Sequence, residues 1–179
     1  MILLIGPSAS GKTEVAKVLM QRHGVKKAVT HTSRPMRVGE VQDRDYHFVS
    51  DDEFLRLANE GAFVETTLYS GYHYGCSKAE IAEDKCVIVD PNGLAAFLAL
   101  NDPQIIAFYL NCPKRIREER MRSRGDEEAS IAKRLSNDDK DFAPERLKGV
   151  SFIINSDEKS PEELAESVLG LYQKRLQEI

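Results

Sequence analysis

Residues 1–13 read MILLIGPSASGKT, and this stretch decides the architecture. Ile2 to Ile5 is a short apolar run without alternation, the pattern of a strand buried on both faces. It leads directly into Gly6-x4-Gly11-Lys12-Thr13, which fits the P-loop pattern in full. The following KTEVAKVLMQRHG puts Val15, Val18, Leu19 and Arg22 on one helical face, with Gly24 as a stop. In a strand–loop–helix of this kind the glycines let backbone N–H groups converge on phosphate oxygens. The helix start adds the positive end of its dipole. Gly6, Pro7, Ser8, Ala9, Ser10, Gly11, Lys12 and Thr13 are therefore the expected ATP-binding residues. Lys12 is expected to reach the terminal phosphates, and the Thr13 hydroxyl to help hold a Mg²⁺ that arrives with the triphosphate.

The rest of the chain repeats the alternation. CVIVD (86–90), QIIAFYL (104–110) and SFIIN (151–155) read as further strands of the buried type, and KAVTHT (27–32) as another strand. YHFV (46–49) and AFVET (62–66) read as short strands in a polar stretch. Ser50 and Glu53 make a capping box for a helix that Gly61 closes, and Ser160 and Glu163 make a second one. That last helix is expected to bury Leu164, Val168, Leu171 and Tyr172. Asn92 is the expected cap of GLAAFLAL. Pro113 and Gly125 bracket another helix, and EEASIAKRL is helical. Apolar strands alternating with helices predict a three-layer α/β core with a mostly parallel sheet. The polar insertions at 30–85 and 113–147 read as lobes on one domain spanning 1–179, whose core is 1–29, 86–112 and 148–179.

Composition sets the outer bounds. The 179 residues carry 25 Lys and Arg against 29 Asp and Glu, a net charge of −4. With no basic field, nucleic acid is excluded as an expected partner, and a polyanion must be small and met by a local cluster. No apolar run approaches the roughly 18 residues of a membrane span. The amino terminus lacks the features of a secretion signal. The 3 cysteines are odd in number and scattered, which argues against a disulfide framework or a zinc site and for a reducing cytoplasm. Oligomeric state stays open, with a monomer favoured.

The stretch THTSRPMRVGE (30–40) sets Arg34 and Arg37 three apart around Pro35, in a segment that Pro35 biases away from helix. Alone it reads as a solvated basic loop. Behind a P-loop, HTSRPMRVGEVQDRDYHFVSDDEF resembles the GMP-binding segment of guanylate kinases. GAFVE and GYHYG resemble the next two motifs of that family, and RSRGDEEASIAKRL its arginine-rich lid, one residue shorter than usual. The resemblance covers essentially the whole chain. It implies a P-loop core, a mixed monophosphate-binding lobe (30–85) and a helical lid (113–147).

It also implies roles. Arg34 and Arg37 would grip the GMP phosphate with charge-assisted forks, aided by Tyr46 and Tyr74. Glu65 would accept the two donors of guanine, N1–H and the 2-amino group, which adenine cannot offer. Thr30 and Ser33 lie where the family supplies a hydroxyl to the base. Arg124 and Arg134 would close over the transferring phosphoryl group as catalytic residues beside Lys12. Arg115, Arg117 and Arg120 read instead as a solvated, salt-bridged helix face. Two positions depart from the family. Cys76 stands where a hydroxyl lining the base pocket is usual, and its thiol should be shielded when GMP binds. Asp90 keeps the second of a usual aspartate pair, still counted as GMP-binding, while Ile88 replaces the first. The expected activity is phosphoryl transfer from ATP to GMP with Mg²⁺. The rivals are a P-loop kinase for another phosphorylated acceptor of ribose bisphosphate type, and a non-catalytic guanylate-kinase-like binding module.

Overall fold

A computed structural model describes all residues from Met1 to Ile179. In chain order the strands are β1 (Ile2–Ile5), β2 (Lys26–Lys27), β3 (His31–Thr32), β4 (His47–Phe48), β5 (Phe63–Tyr69), β6 (Tyr72–Ser77), β7 (Lys85–Ile88), β8 (Ile106–Asn111) and β9 (Phe152–Asn155). The helices are α1 (Lys12–Arg22), α2 (Asp51–Asn59), α3 (Pro91–Leu98), α4 (Lys114–Ser123), α5 (Glu128–Asp141) and α6 (Pro161–Gln177).

Five strands form an all-parallel sheet in the order β2-β7-β1-β8-β9, with β1 at its centre. Every residue of β1 is buried, because each face carries its own core. Ile2 and Leu4 pack with Val15 and Leu19 of α1 and with Leu164 and Val168 of α6. Leu3 and Ile5 pack on the opposite side with Leu94 and Phe97 of α3. A strand sealed on both faces has no solvent side for polar residues, hence the unbroken ILLI. On α6, Leu164, Val168 and Tyr172 are buried as expected, whereas Leu171 is only half-buried and Ala165 takes a core position.

A second, four-stranded sheet has the order β4-β3-β6-β5 and is mixed: β3 and β4 are parallel, the other pairs antiparallel. The single strand expected over 27–32 is divided between the two sheets. Ala28 N–H still donates to Cys86 O at 2.9 Å, but Val29 N–H donates to the Glu80 carboxylate at 2.8 Å. Glu80 also takes Lys85 at 2.7 Å and lies 3.6 Å from His47. A buried carboxylate thus satisfies the backbone where the chain changes sheets. Burial alone would push Glu80 up, but Lys85, Val29 N–H and His47 outweigh it and hold its pKa below the usual value.

Two caps differ from expectation. Asp90, not Asn92, caps α3, its Oδ1 accepting from Gly93 N–H at 2.8 Å. Pro91 occupies the first turn, which sets the helix start two residues too early for Asn92 to cap it. Asn92 instead accepts from Arg146 at 2.8 Å. Ser50 caps α2, but Glu53 turns to Arg56 at 2.7 Å rather than back to the cap. The second box is complete: Ser160 and Glu163 each bond the other's N–H at the start of α6.

Candidate active site

The P-loop follows the C-terminal end of β1, where the helix dipole and the turn converge. A Cβ on Gly6 would meet Leu110 O and Ser10 Oγ at 2.7 Å each, so no side chain fits there. Gly11, at φ +100°, turns the chain into α1 from a conformation that favours glycine. Lys12 Nζ donates to the carbonyls of Gly6 at 2.5 Å and Pro7 at 2.8 Å, and lies 3.5 Å from Ser10 Oγ. Burial lowers its pKa to about 8, with Asp138 opposing and Arg117 and Arg124 reinforcing the fall. Thr13 and Arg124 line one polar cavity of about 300 Å³ together with Ala9 to Lys12 and Glu14. The first amides of α1 have no partner within the helix and face this space. A second cavity of about 240 Å³ adjoins it and shares Arg124, with Arg120 and Ser156 in its wall. Mg²⁺ takes only one or two protein oxygens alongside phosphates and water, a demand that Thr13 fits.

The helices after β8 hold this loop, which the sequence did not reveal. Arg115 is exposed and pairs with Glu119 at 2.6 Å, as expected of a solvated face. Arg117 and Arg120 correct that expectation. Arg117 is 5% exposed, donating to Asp138 at 2.7 Å and to Cys112 O at 3.1 Å. Arg120 donates to Ala9 O at 3.1 Å and Ser156 O at 2.8 Å, and Ser156 Oγ donates to Ser10 O at 2.9 Å. Asp138 accepts from Ser8 N–H at 3.0 Å and Ser8 Oγ at 3.2 Å, so both polar groups of Ser8 already have a partner. Ala9 holds φ +60° and packs its methyl on Met121, Ile131 and Leu135. Of the two expected catalytic arginines, Arg124 lines the loop cavity; Arg134 pairs with Asp126 at 2.9 Å and does not.

The register of the second sheet collects most of the remaining candidates. Thr32 lies opposite Phe48 and Tyr74, and Glu65 opposite Cys76. Since side chains alternate, Tyr46, Phe48, Thr32, Tyr74, Cys76 and Glu65 share one face. α2 covers the other, where Phe54 stacks on Phe63 at 4.5 Å and on His73 at 5.2 Å. Arg34, 7% exposed, lies 5.6 Å over the rings of both Tyr46 and Phe48. Glu40 orients it at 2.7 Å, and its other oxygen takes Arg37 N–H at 2.7 Å. Glu40 stood in the quoted motif without a role; its position five residues beyond Pro35 gave no sign of this bridge. The Arg37 side chain is exposed. Ser33 Oγ accepts from His73 N–H at 3.0 Å, tying it to β6, and Thr30 is half-buried with its carbonyl on His47 N–H at 2.9 Å.

Glu65 has its pKa raised, first by burial, then by the Asp90 carboxylate; the Cys76 N–H works against both. Asp90 therefore stands near Glu65 while capping α3. Cys76 corrects its expectation as an accessible thiol: it is 1% exposed within the apolar cluster of Val87, Val89 and Leu94, and burial pushes its pKa up to about 12.

Comparisons with known proteins bear on the family and the fold. A family model described as guanylate kinase matches residues 1–168. The chain is 36% identical over 143 residues to a guanylate kinase of Schizosaccharomyces pombe, covering 75% of this chain and 71% of that one. It is 34% identical over 163 residues to a guanylate kinase of Sus scrofa, covering 86% and 82%. A crystal structure of guanylate kinase from Anaplasma phagocytophilum superposes with a TM-score of 0.68 at 22% identity, over 97% of this chain and 84% of that one, and shares the fold.

Proposed function

As the chain belongs to the guanylate kinase family and is an enzyme, a nucleoside monophosphate kinase, we infer that it transfers the γ-phosphoryl group of MgATP to GMP, giving ADP and GDP. The observation that carries the acceptor assignment is the shared face of the second sheet. There Arg34, Tyr46 and Tyr74 gather at one end and the Glu65 carboxylate at the other. A dianionic phosphate at the arginine end would displace Glu40 from Arg34, and Arg37 would swing in beside it. Glu65 would accept N1–H and the 2-amino group of guanine, and Thr30, Ser33 and Cys76 border the same face. Asp90 belongs to the site through its charge on Glu65.

On the donor side the triphosphate would enter the loop cavity, with Lys12 leaving the Gly6 and Pro7 carbonyls for the terminal phosphates. Arg124 already lines that cavity, and Arg134 would release Asp126 to join it on closure. Mg²⁺ would share Thr13 with the phosphates and neutralise their charge. The attacking oxygen belongs to an ionised phosphate, so orientation and charge neutralisation suffice, without a general base. The chain then works as a core (1–29, 86–112, 148–179), a monophosphate lobe (30–85) and a lid (113–147).

The test is an ADP-release assay with GMP, dGMP, AMP, UMP and ribose phosphates as acceptors. GMP should be turned over far faster than AMP or UMP. Glu65→Gln should lose kcat/KM for GMP while retaining MgATP binding, since the amide presents an NH₂ where the second oxygen accepted. Equal rates on AMP and GMP, or an unaffected Glu65→Gln, would refute the base-reading role.

A further inference from the structure

Asp138 joins three parts of the molecule in one carboxylate. Its Oδ2 takes Ser8 N–H at 3.0 Å and the Arg117 guanidinium at 2.7 Å, and its Oδ1 takes the Ser8 hydroxyl at 3.2 Å. Asp138 is 8% and Arg117 5% exposed, so water screens neither. Arg117 continues to the carbonyl of Cys112, directly after β8, the neighbour of β1 in the sheet. A buried charge pair is not needed for stability, since apolar residues of similar volume commonly do as well. What this pair supplies that an apolar pair would not is a fixed acceptor for the loop. Ser8 follows Gly6 and Pro7, the two residues whose carbonyls hold Lys12.

We propose that Asp138 is a positioning residue of the phosphate loop: buried and oriented by Arg117, it fixes Ser8 and so presents the loop amides to the triphosphate in ready-made geometry. The carboxylate touches neither substrate. The pair leaves the local charge balanced, so a carboxylate can stand beside a triphosphate site without repelling its ligand. Lys12 receives charge from three sides, Asp138 on α5 and Arg117 and Arg124 on and after α4. Removing Asp138 alone would therefore mix a positional effect with an unbalanced cation. The experiment removes both charges together.

The proposal rests on the MgATP reading for one of its two arms. The variants are Arg117→Leu/Asp138→Leu and Arg117→Leu/Asp138→Asn, both charge-balanced and differing in the oxygen offered to Ser8. In the first arm, hydrogen exchange is followed in the nucleotide-free protein. The Leu/Leu variant should exchange the amides of residues 8–12 about 10-fold faster than wild type, with β1 and α6 unchanged, and the Leu/Asn variant should recover most of that protection. In the second arm, MgATP is titrated and steady-state kinetics are measured. The Leu/Leu variant should bind MgATP about 10-fold more weakly, as expected for one lost charge-assisted bond, with KM for GMP unchanged and rescue in Leu/Asn. Equal loop exchange in wild type and Leu/Leu, or identical behaviour of Leu/Leu and Leu/Asn, overturns the inference. So does a loss that falls equally on ATP and GMP, which marks a structural defect. If wild type itself failed to bind MgATP, the functional reading would fall, and loop exchange would still decide the role of Asp138.

Discussion

Lys12, Glu65 and Asp90 carry the predictions that belong to single residues. Lys12→Ala removes the cation proposed to reach the terminal phosphates and should lower kcat by about 10²–10³ with the fold retained, as circular dichroism would verify. Glu65 must be ionised to accept two donors from guanine. Its raised pKa places the acid limb of kcat/KM for GMP above the usual carboxylate value, and activity should fall as pH drops through that limb. Asp90→Asn removes one of the two raising causes and keeps a good cap for α3, so the limb should move to lower pH. The GMP phosphate titrates in the same way with both proteins, and the difference between the two profiles isolates Glu65. The same shift bears on stability with a definite sign. Between its unfolded value and its raised folded value the native chain binds more protons, so this residue's contribution weakens as pH rises through that window. Features that lie in local spacing were legible: the glycines that shape the loop, and Lys12, which folds back onto its carbonyls. Asp138 and Ser156 were not, because their partners lie 130 and 146 positions away. Arg117 and Arg120 were misread for the same reason. Interleaved with Glu118 and Glu119 they look solvated, and only the packing of α4 against the loop shows Arg117 buried and Arg120 half-buried.

Helices and strands were legible where the pattern was complete. β1 and β8 are apolar because two layers of helix cover them, and the sequence states that directly; β9, read as the same buried type, is an edge strand that buries Ile154 but leaves Ile153 69% exposed. β2 and β3 were merged because KAVTHT carries no turn residue; the break is made by Glu80, fifty residues on. β6 went unread as a strand although Tyr72, Tyr74 and Cys76 alternate with His73, Gly75 and Ser77; the run is short and carries a glycine, and its pairing with β5 makes the pattern plain. Capping chemistry was legible at α6, where both halves of the Ser160–Glu163 box form. Ser160→Ala should cost about 1 kcal/mol, read as a lower midpoint in urea unfolding, with turnover at 25 °C unaffected. An unshifted midpoint would mean that α6 is held by its packing against α1 alone. α4 and α5 have a different standing. Ala9 sits in their small apolar cluster, and Arg120 and Asp138 reach back to the loop. The anchored parts of α4 and α5 therefore belong mechanically to the phosphate loop, whereas Arg134 pairs with Asp126 away from it.

Across the whole molecule, the phosphate loop lies after the end of β1 and Asp90 shortly after the end of β7, its parallel neighbour. That is the usual place for ligands in sheets of this kind. The thiols respond to the fold as a unit. Cys76 and Cys86 are each 1% exposed and Cys112 4%, and burial raises the first two to about 12 and about 11. In the native protein fewer than one thiol per chain should react rapidly with Ellman's reagent, against three after unfolding in guanidinium. GMP should slow the residual reaction only as far as it stabilises the native state, because Cys76 is already shielded by Val87, Val89 and Leu94. Three silent thiols also leave the protein an empty canvas for site-specific dyes. A cysteine introduced at the fully exposed Val38, in the 30–85 insertion, with a second on the outer face of α6, would carry a donor and acceptor fluorophore without background labelling. Energy transfer between them would then follow, in a single molecule, how far the two sheets approach as each nucleotide binds.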